Sequence, residues 1–172
     1  MNSADIYAKA LWLTEHYGTS DPFVLCNCMG LNVRYADLGS VKGMYKCIAG
    51  NYFVIINSVL DKHLERAVCC HELCHHVLHS HMTENISVYE TMIFDMSAKP
   101  ELEANMLASE LLITDTDMLT LAKEGRSLEE IASFLEVDIN FVILKAGLMK
   151  ERGYEFFGNF DIQSDFLGKI NL

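Results

Sequence analysis

The segment His71-Glu72-Leu73-Cys74-His75 sets two imidazoles four residues apart with a glutamate between them. In a helix four residues turn through about 400°, so both imidazoles leave the same face and can grip one metal ion. Glu72 leaves about 100° further round, where it can reach a water on that ion without being a ligand. The chemistry this suits is hydrolysis: the ion polarises a carbonyl and acidifies water, and Glu72 moves the proton. One Zn²⁺ is the expected ion, and Mn²⁺ and Fe²⁺ accept the same donors.

A catalytic zinc needs a third protein ligand and an open position. His81 stands ten residues after His71, where a third histidine falls if the helix turns sharply after its second histidine. That turn uses Gly, and Leu78 there would be strained by roughly 1–2 kcal/mol. Leu78 instead continues the apolar stripe. The favoured candidate is Glu101 in Glu101-Leu-Glu-Ala-Asn105, with the Asn105 amide one turn on to hold a group behind the ligands. Glu103 is the remaining alternative, expected on roughly the opposite, solvated side. His79, one turn past His75, is a further candidate for supporting a ligand, while His76 is expected to face away.

These residues need elements to hold them. Leu64, Val68, His71 and His75 recur at helical spacing, so residues 60–80 read as a helix with Ser58 and Asp61 near its start. Pro100 opens a second helix from Glu101 to about Ile113. Ahead of both, Leu31–Tyr35, Met44–Ile48 and Tyr52–Asn57 read as strands separated by Gly39, Gly43 and Gly50-Asn51, which predicts a small antiparallel sheet. Tyr52, Val54 and Ile56 lie on the clearest strand, read as an edge onto which an extended substrate adds. Residues 4–17 form an amphipathic helix ended by Gly18. Ser127-Leu-Glu-Glu130 is a capping box before a short helix, a turn at Val137-Asp138 and another helix to Gly147. An oxyanion donor is not identified; Tyr45, Tyr52 and Tyr89 are the tyrosines nearest the motif.

The 172 residues are 51% hydrophobic with two prolines, which excludes a disordered chain. Thirteen basic residues against twenty-four acidic ones leave a formal charge of −11, a poor match for nucleic-acid phosphates. Between Arg126 and Arg152 four basic residues meet five acidic ones, so the paired C-terminal helices are poor DNA binders too. Cys69, Cys70 and Cys74 crowd one segment and Cys26 and Cys28 another, a pattern that suits reduced thiols better than disulfide staples. With neither a signal-peptide pattern nor a membrane-length apolar run, the expected location is the cytoplasm.

Asn57, His71-Glu-Leu-Cys-His-His-Val-Leu-His79 and Glu101-Leu-Glu-Ala-Asn-Met-Leu-Ala-Ser-Glu-Leu-Leu112 together resemble the ImmA/IrrE family of zinc metallopeptidases. The likeness covers residues 40–115 well and 127–149, similar to the family's helix-turn-helix-like segment, more loosely. Cys74 stands where the family usually has Gly, and Ile113-Thr114 replaces its usual Met-Pro; neither change removes a metal ligand. The resemblance implies a substrate of the helix-turn-helix repressor type, controlling a mobile element or a stress response. The expectation is therefore an α+β, zincin-like metallopeptidase domain over 1–122 and a helical segment with an aromatic tail over 123–172. Its metal would be held by His71, His75 and Glu101, with Glu72 as general base. The rival is a non-catalytic anti-repressor that binds such a repressor without cutting it, a role that has no need of Glu72.

Overall fold

The computed structural model describes residues 1–80 and 98–155. In chain order these form α1 (Ser3–Tyr17), α2 (Pro22–Cys28), β1 (Asn32–Ala36), β2 (Gly43–Ile48), β3 (Asn51–Asn57), α3 (Lys62–His79), α4 (Lys99–Leu112), α5 (Asp115–Lys123), α6 (Leu128–Leu135) and α7 (Ile139–Glu151). His81, Tyr89 and the aromatic tail beyond Tyr154 lie outside the described residues. No described helix is long and apolar enough to cross a membrane.

The architecture is α+β, as expected, but the sheet is mixed rather than antiparallel. Its order is β1-β3-β2, with β1 parallel to β3 and β2 antiparallel to it. The cause is local. Residues 37–42 carry the chain around the end of β3, where the buried Asn57 holds them: its Nδ2 donates to the carbonyls of Gly39 (3.0 Å) and Val41 (2.8 Å). Its backbone N–H donates to the Lys42 carbonyl, and Ser58 N–H to that of Ala36. The end of β3 is thereby wedged between the end of β1 and the start of β2. The β2–β3 hairpin closes through Ala49 and Gly50, both at positive φ, so the turn falls one residue earlier than expected.

α3 lies between the sheet and α4. Asp61, not Ser58, caps it by accepting from Leu64 N–H, and it stays helical through Leu78 to His79. The sharp turn required by the three-histidine layout is therefore not present. Every residue from Ala67 to His75 is buried. Val68, Glu72 and His76 face the sheet; His71, His75 and His79 face α4. Pro100 sits in the first turn of α4, and α4 is buried almost throughout.

The helix α5, capped by Thr114, was not anticipated, whereas the Ser127–Glu130 capping box on α6 is present as read. α7 packs on α4 rather than presenting a charged face: Lys145 is 1% exposed and pairs with Glu110 of α4 and, at 2.6 Å, with Asp115. Arg152 joins the same two carboxylates and lies over the ring of Tyr7 in α1.

Candidate metal centre

His71 and His75 project from α3 towards α4 with their Nε2 atoms 3.0 Å apart. Glu101, in the first turn of α4, brings Oε2 to 3.2 Å from His71 Nε2 and Oε1 to 3.4 Å from His75 Nε2. One donor atom from each of the three lies within 4.8 Å of the others, and no other such trio occurs among the described residues. All three residues are buried. Burial pushes the Glu101 carboxyl up, but the two imidazoles outweigh it and hold the group down at about 2. It is thus an anion at neutral pH.

The backs of both imidazoles are engaged. His71 Nδ1 lies 2.8 Å from Asn105 Oδ1, an acceptor, which calls for the proton on Nδ1. His75 Nδ1 lies 3.3 Å from His79 Nδ1. The Nε2 atoms then converge, with a carboxylate, on one point away from water. Such a set of donors needs positive charge among them, either added protons or a metal cation, and two imidazoles with a carboxylate are a donor set typical of zinc. The residues fit an ion.

Glu103 corrects the sequence reading. It is not solvated; it is buried, with Oε2 at 3.1 Å from His79 Nε2 and Oε1 paired with the Met1 amino group. Burial pushes its carboxyl up, but the amino terminus and His79 more than offset this and lower it overall. His79 itself is lowered, chiefly by desolvation and against the pull of Glu103.

Glu72 is fully buried on the side of α3 that meets β2. The contact depends on Gly43, read from sequence only as a turn signal. A Cβ there would stand 3.3 Å from Glu72 Oε1 and 2.3 Å from Val68 Cγ1. Only a glycine lets β2 run this close, and a glycine opening a strand is the signal that could have shown it.

The expected substrate strand is overturned. β3 is the central strand, hydrogen-bonded on both sides, so Tyr52, Val54 and Ile56 cannot offer a free edge; Val54 and Ile56 are fully buried. Among the described residues β2 is the edge strand nearest Glu72. Lys42 and Asn57 form a bonded pair, and pairs alternate along an antiparallel ladder, so the backbone groups of Gly43, Tyr45 and Cys47 face outward. Two tyrosines considered as oxyanion donors are used elsewhere. Tyr45 hydroxyl meets His76 Nδ1 at 2.7 Å, and Tyr52 packs against both rings. His76 therefore turns towards the sheet, away from the metal donors.

All six cysteines are free. Cys26 and Cys69 approach to 3.8 Å between sulfurs, and that contact together with burial pushes the Cys69 thiol up, towards an inert packing group.

Comparison with known proteins agrees with this geometry. Residues 26–146 match the peptidase family described as the IrrE N-terminal-like domain. The chain is 32% identical over 141 residues to uncharacterized immunity region protein 2 of Bacillus phage phi105, covering 81% of this chain and 88% of that one. It is 29% identical over 142 residues to metallopeptidase ImmA of Bacillus subtilis (strain 168), covering 78% and 80%. The match spans both the histidine helix and the glutamate helix, and the chain belongs to the ImmA/IrrE family of metallopeptidases.

Proposed function

We propose that this protein is a cytoplasmic zinc endopeptidase that cleaves a regulatory protein, a repressor of the helix-turn-helix type. The observation that carries this reading is the convergence of His71, His75 and Glu101, with Glu72 next to His71 on the same buried helix. The names of the relatives, an immunity-region protein and a metallopeptidase, support a regulator of a mobile element as target.

His71, His75 and Glu101 would hold the ion. When bound, it supplies Lewis acidity to a water molecule and to the scissile carbonyl. Glu72 takes the proton from that water and delivers it to the leaving amine, so the peptide bond is exchanged for a carboxylate and an amine. Asn105 and His79 hold the two ligand imidazoles from behind and keep their Nε2 lone pairs aimed inward. The substrate adds as an extended strand to β2, where Gly43 brings it over Glu72. Residues 1–122 form the metal-bearing unit, and residues 123–172 shape or extend the surface that receives the repressor.

The test uses purified repressor, wild-type protein and Glu72→Gln. Cleavage by the wild type and a fall of roughly 10²–10⁴-fold in the variant, with its ion retained, is the expected result. Equal inactivation of an uncut repressor by both proteins would overturn catalysis in favour of a binding anti-repressor. Normal zinc content in Glu101→Ala would overturn the ligand assignment.

A further inference from the structure

We propose that Glu103 is a positioning residue: its carboxylate sets the protonation pattern of a two-histidine relay that ends on the metal-facing nitrogen of His75. The inference rests on the proposed metal site and extends it to a residue that the ligand set does not include.

Four observations build the relay. His75 Nε2 faces Glu101 at 3.4 Å. His75 Nδ1 faces His79 Nδ1 at 3.3 Å. His79 Nε2 faces Glu103 Oε2 at 3.1 Å. His79 and Glu103 are both buried, so water does not substitute readily for either partner.

The proton pattern follows. A ligand imidazole must offer the Nε2 lone pair to the ion, so His75 carries its proton on Nδ1. That N–H donates to His79 Nδ1, which must then be an unprotonated acceptor. A neutral His79 with a bare Nδ1 carries its proton on Nε2 and needs an acceptor there. Glu103 Oε2 is that acceptor. An oxygen acceptor at 3.1 Å from His79 Nε2 is satisfied by only one pattern along the whole row. Its other oxygen is occupied by the Met1 amino group, with Lys99 Nζ at 3.9 Å, which fixes the carboxylate's orientation. His71 reaches the same state by a different route, through Asn105. The two ligand histidines are thus oriented by separate acceptors, and only the His75 branch ends in a charge.

Zinc affinity, measured by competition with a chelating dye, and imidazole ¹⁵N spectra test this. In the wild type, with and without Zn²⁺, His79 should appear as the Nε2–H tautomer. Glu103→Leu should weaken zinc binding about 10–100-fold. Glu103→Gln should stay within a few-fold of wild type, because its amide oxygen still accepts from Nε2–H; it also serves if the leucine variant does not fold. A proton on His79 Nδ1, or wild-type affinity in a folded Glu103→Leu, would overturn the relay. Loss of zinc in Glu103→Gln as complete as in Glu101→Ala would make Glu103 a ligand and overturn it equally. Full zinc affinity in Glu101→Ala would instead strike the proposed metal site, while the His79 spectrum still judges the relay.

Discussion

Gly43 is where a single hydrogen atom in place of a methyl group decides how near β2, the edge proposed to receive substrate, comes to Glu72. An added Cβ would sit 2.3 Å from Val68 Cγ1, inside any tolerated contact, and neither β2 nor the buried α3 can yield cheaply. Gly43→Ala is expected to destabilise the protein by about 1–3 kcal/mol through overpacking and to lower kcat/KM. Pairing it with Val68→Ala, which removes the clashing methyl groups, should recover part of that activity. A Gly43→Ala protein with unchanged Tm and kcat/KM would show that β2 does not set the geometry. At this scale the sequence was legible wherever spacing along one helix carried the information. His71 and His75, and Glu101 and Asn105, are each four apart and converge as read. Glu103 was misread because helical phase says which way a side chain leaves its own helix, not what lies there. Glu103 meets His79 of α3, and His76 meets Tyr45 of β2, contacts that exist only after packing.

Among the elements, the sheet depends most on one polar side chain. Asn57 ties the 37–42 connection to the end of β3 through two donated bonds and accepts from Val59 N–H at 3.3 Å. Asn57→Ala would leave the Gly39 and Val41 carbonyls without that donor and cost about 1–3 kcal/mol. Because this connection delivers β2, the variant should also raise KM for a protein substrate more than it lowers kcat; urea midpoints and steady-state kinetics read the two effects. A variant with wild-type stability and KM would remove Asn57 from that role. The strands themselves could be read from alternation and glycine positions, but the parallel pairing of β1 with β3 could not. Nothing local in Leu31–Tyr35 specifies on which side of β3 it docks; the path of the loop around Asn57 does. α5 escaped notice for a different reason: behind its Thr114 cap it is only nine residues long, with Met118, Leu121 and Ala122 as its buried face.

For the whole molecule two quantities matter: net charge and the buried ion cluster. A charge of −11 would disfavour approach to an operator-bound form of the proposed repressor substrate, because DNA phosphates would repel the peptidase. Free repressor should be cleaved faster than operator-bound repressor, with the gap narrowing as salt rises; equal rates at low salt would contradict this. The cluster governs acid stability. Burial pushes the Asp115 carboxyl up, but Lys145 and Arg152 outweigh that and hold it below its ordinary value. A carboxyl lowered in the folded state stabilises fully above its unfolded value of about 3.9 and loses that contribution as pH falls through the lowered one. Glu101 and Glu103 act in the same sense. Stability should therefore fall in acid, and Asp115→Asn should show a shallower fall below about pH 4 in urea titrations; identical slopes would sink the assignment.

The same cluster also limits how this protein can be recombined with its kin. Lys145 and Arg152 belong to the last described helix and its cap, whereas their partners Glu110 and Asp115 sit at the end of the helix that carries Glu101 and at the start of the next. A graft that borrows the C-terminal segment of a relative without both cations would strand two carboxylates in the interior. Such chimaeras should fold only when the junction lies outside residues 110–152, or when all four charges travel together.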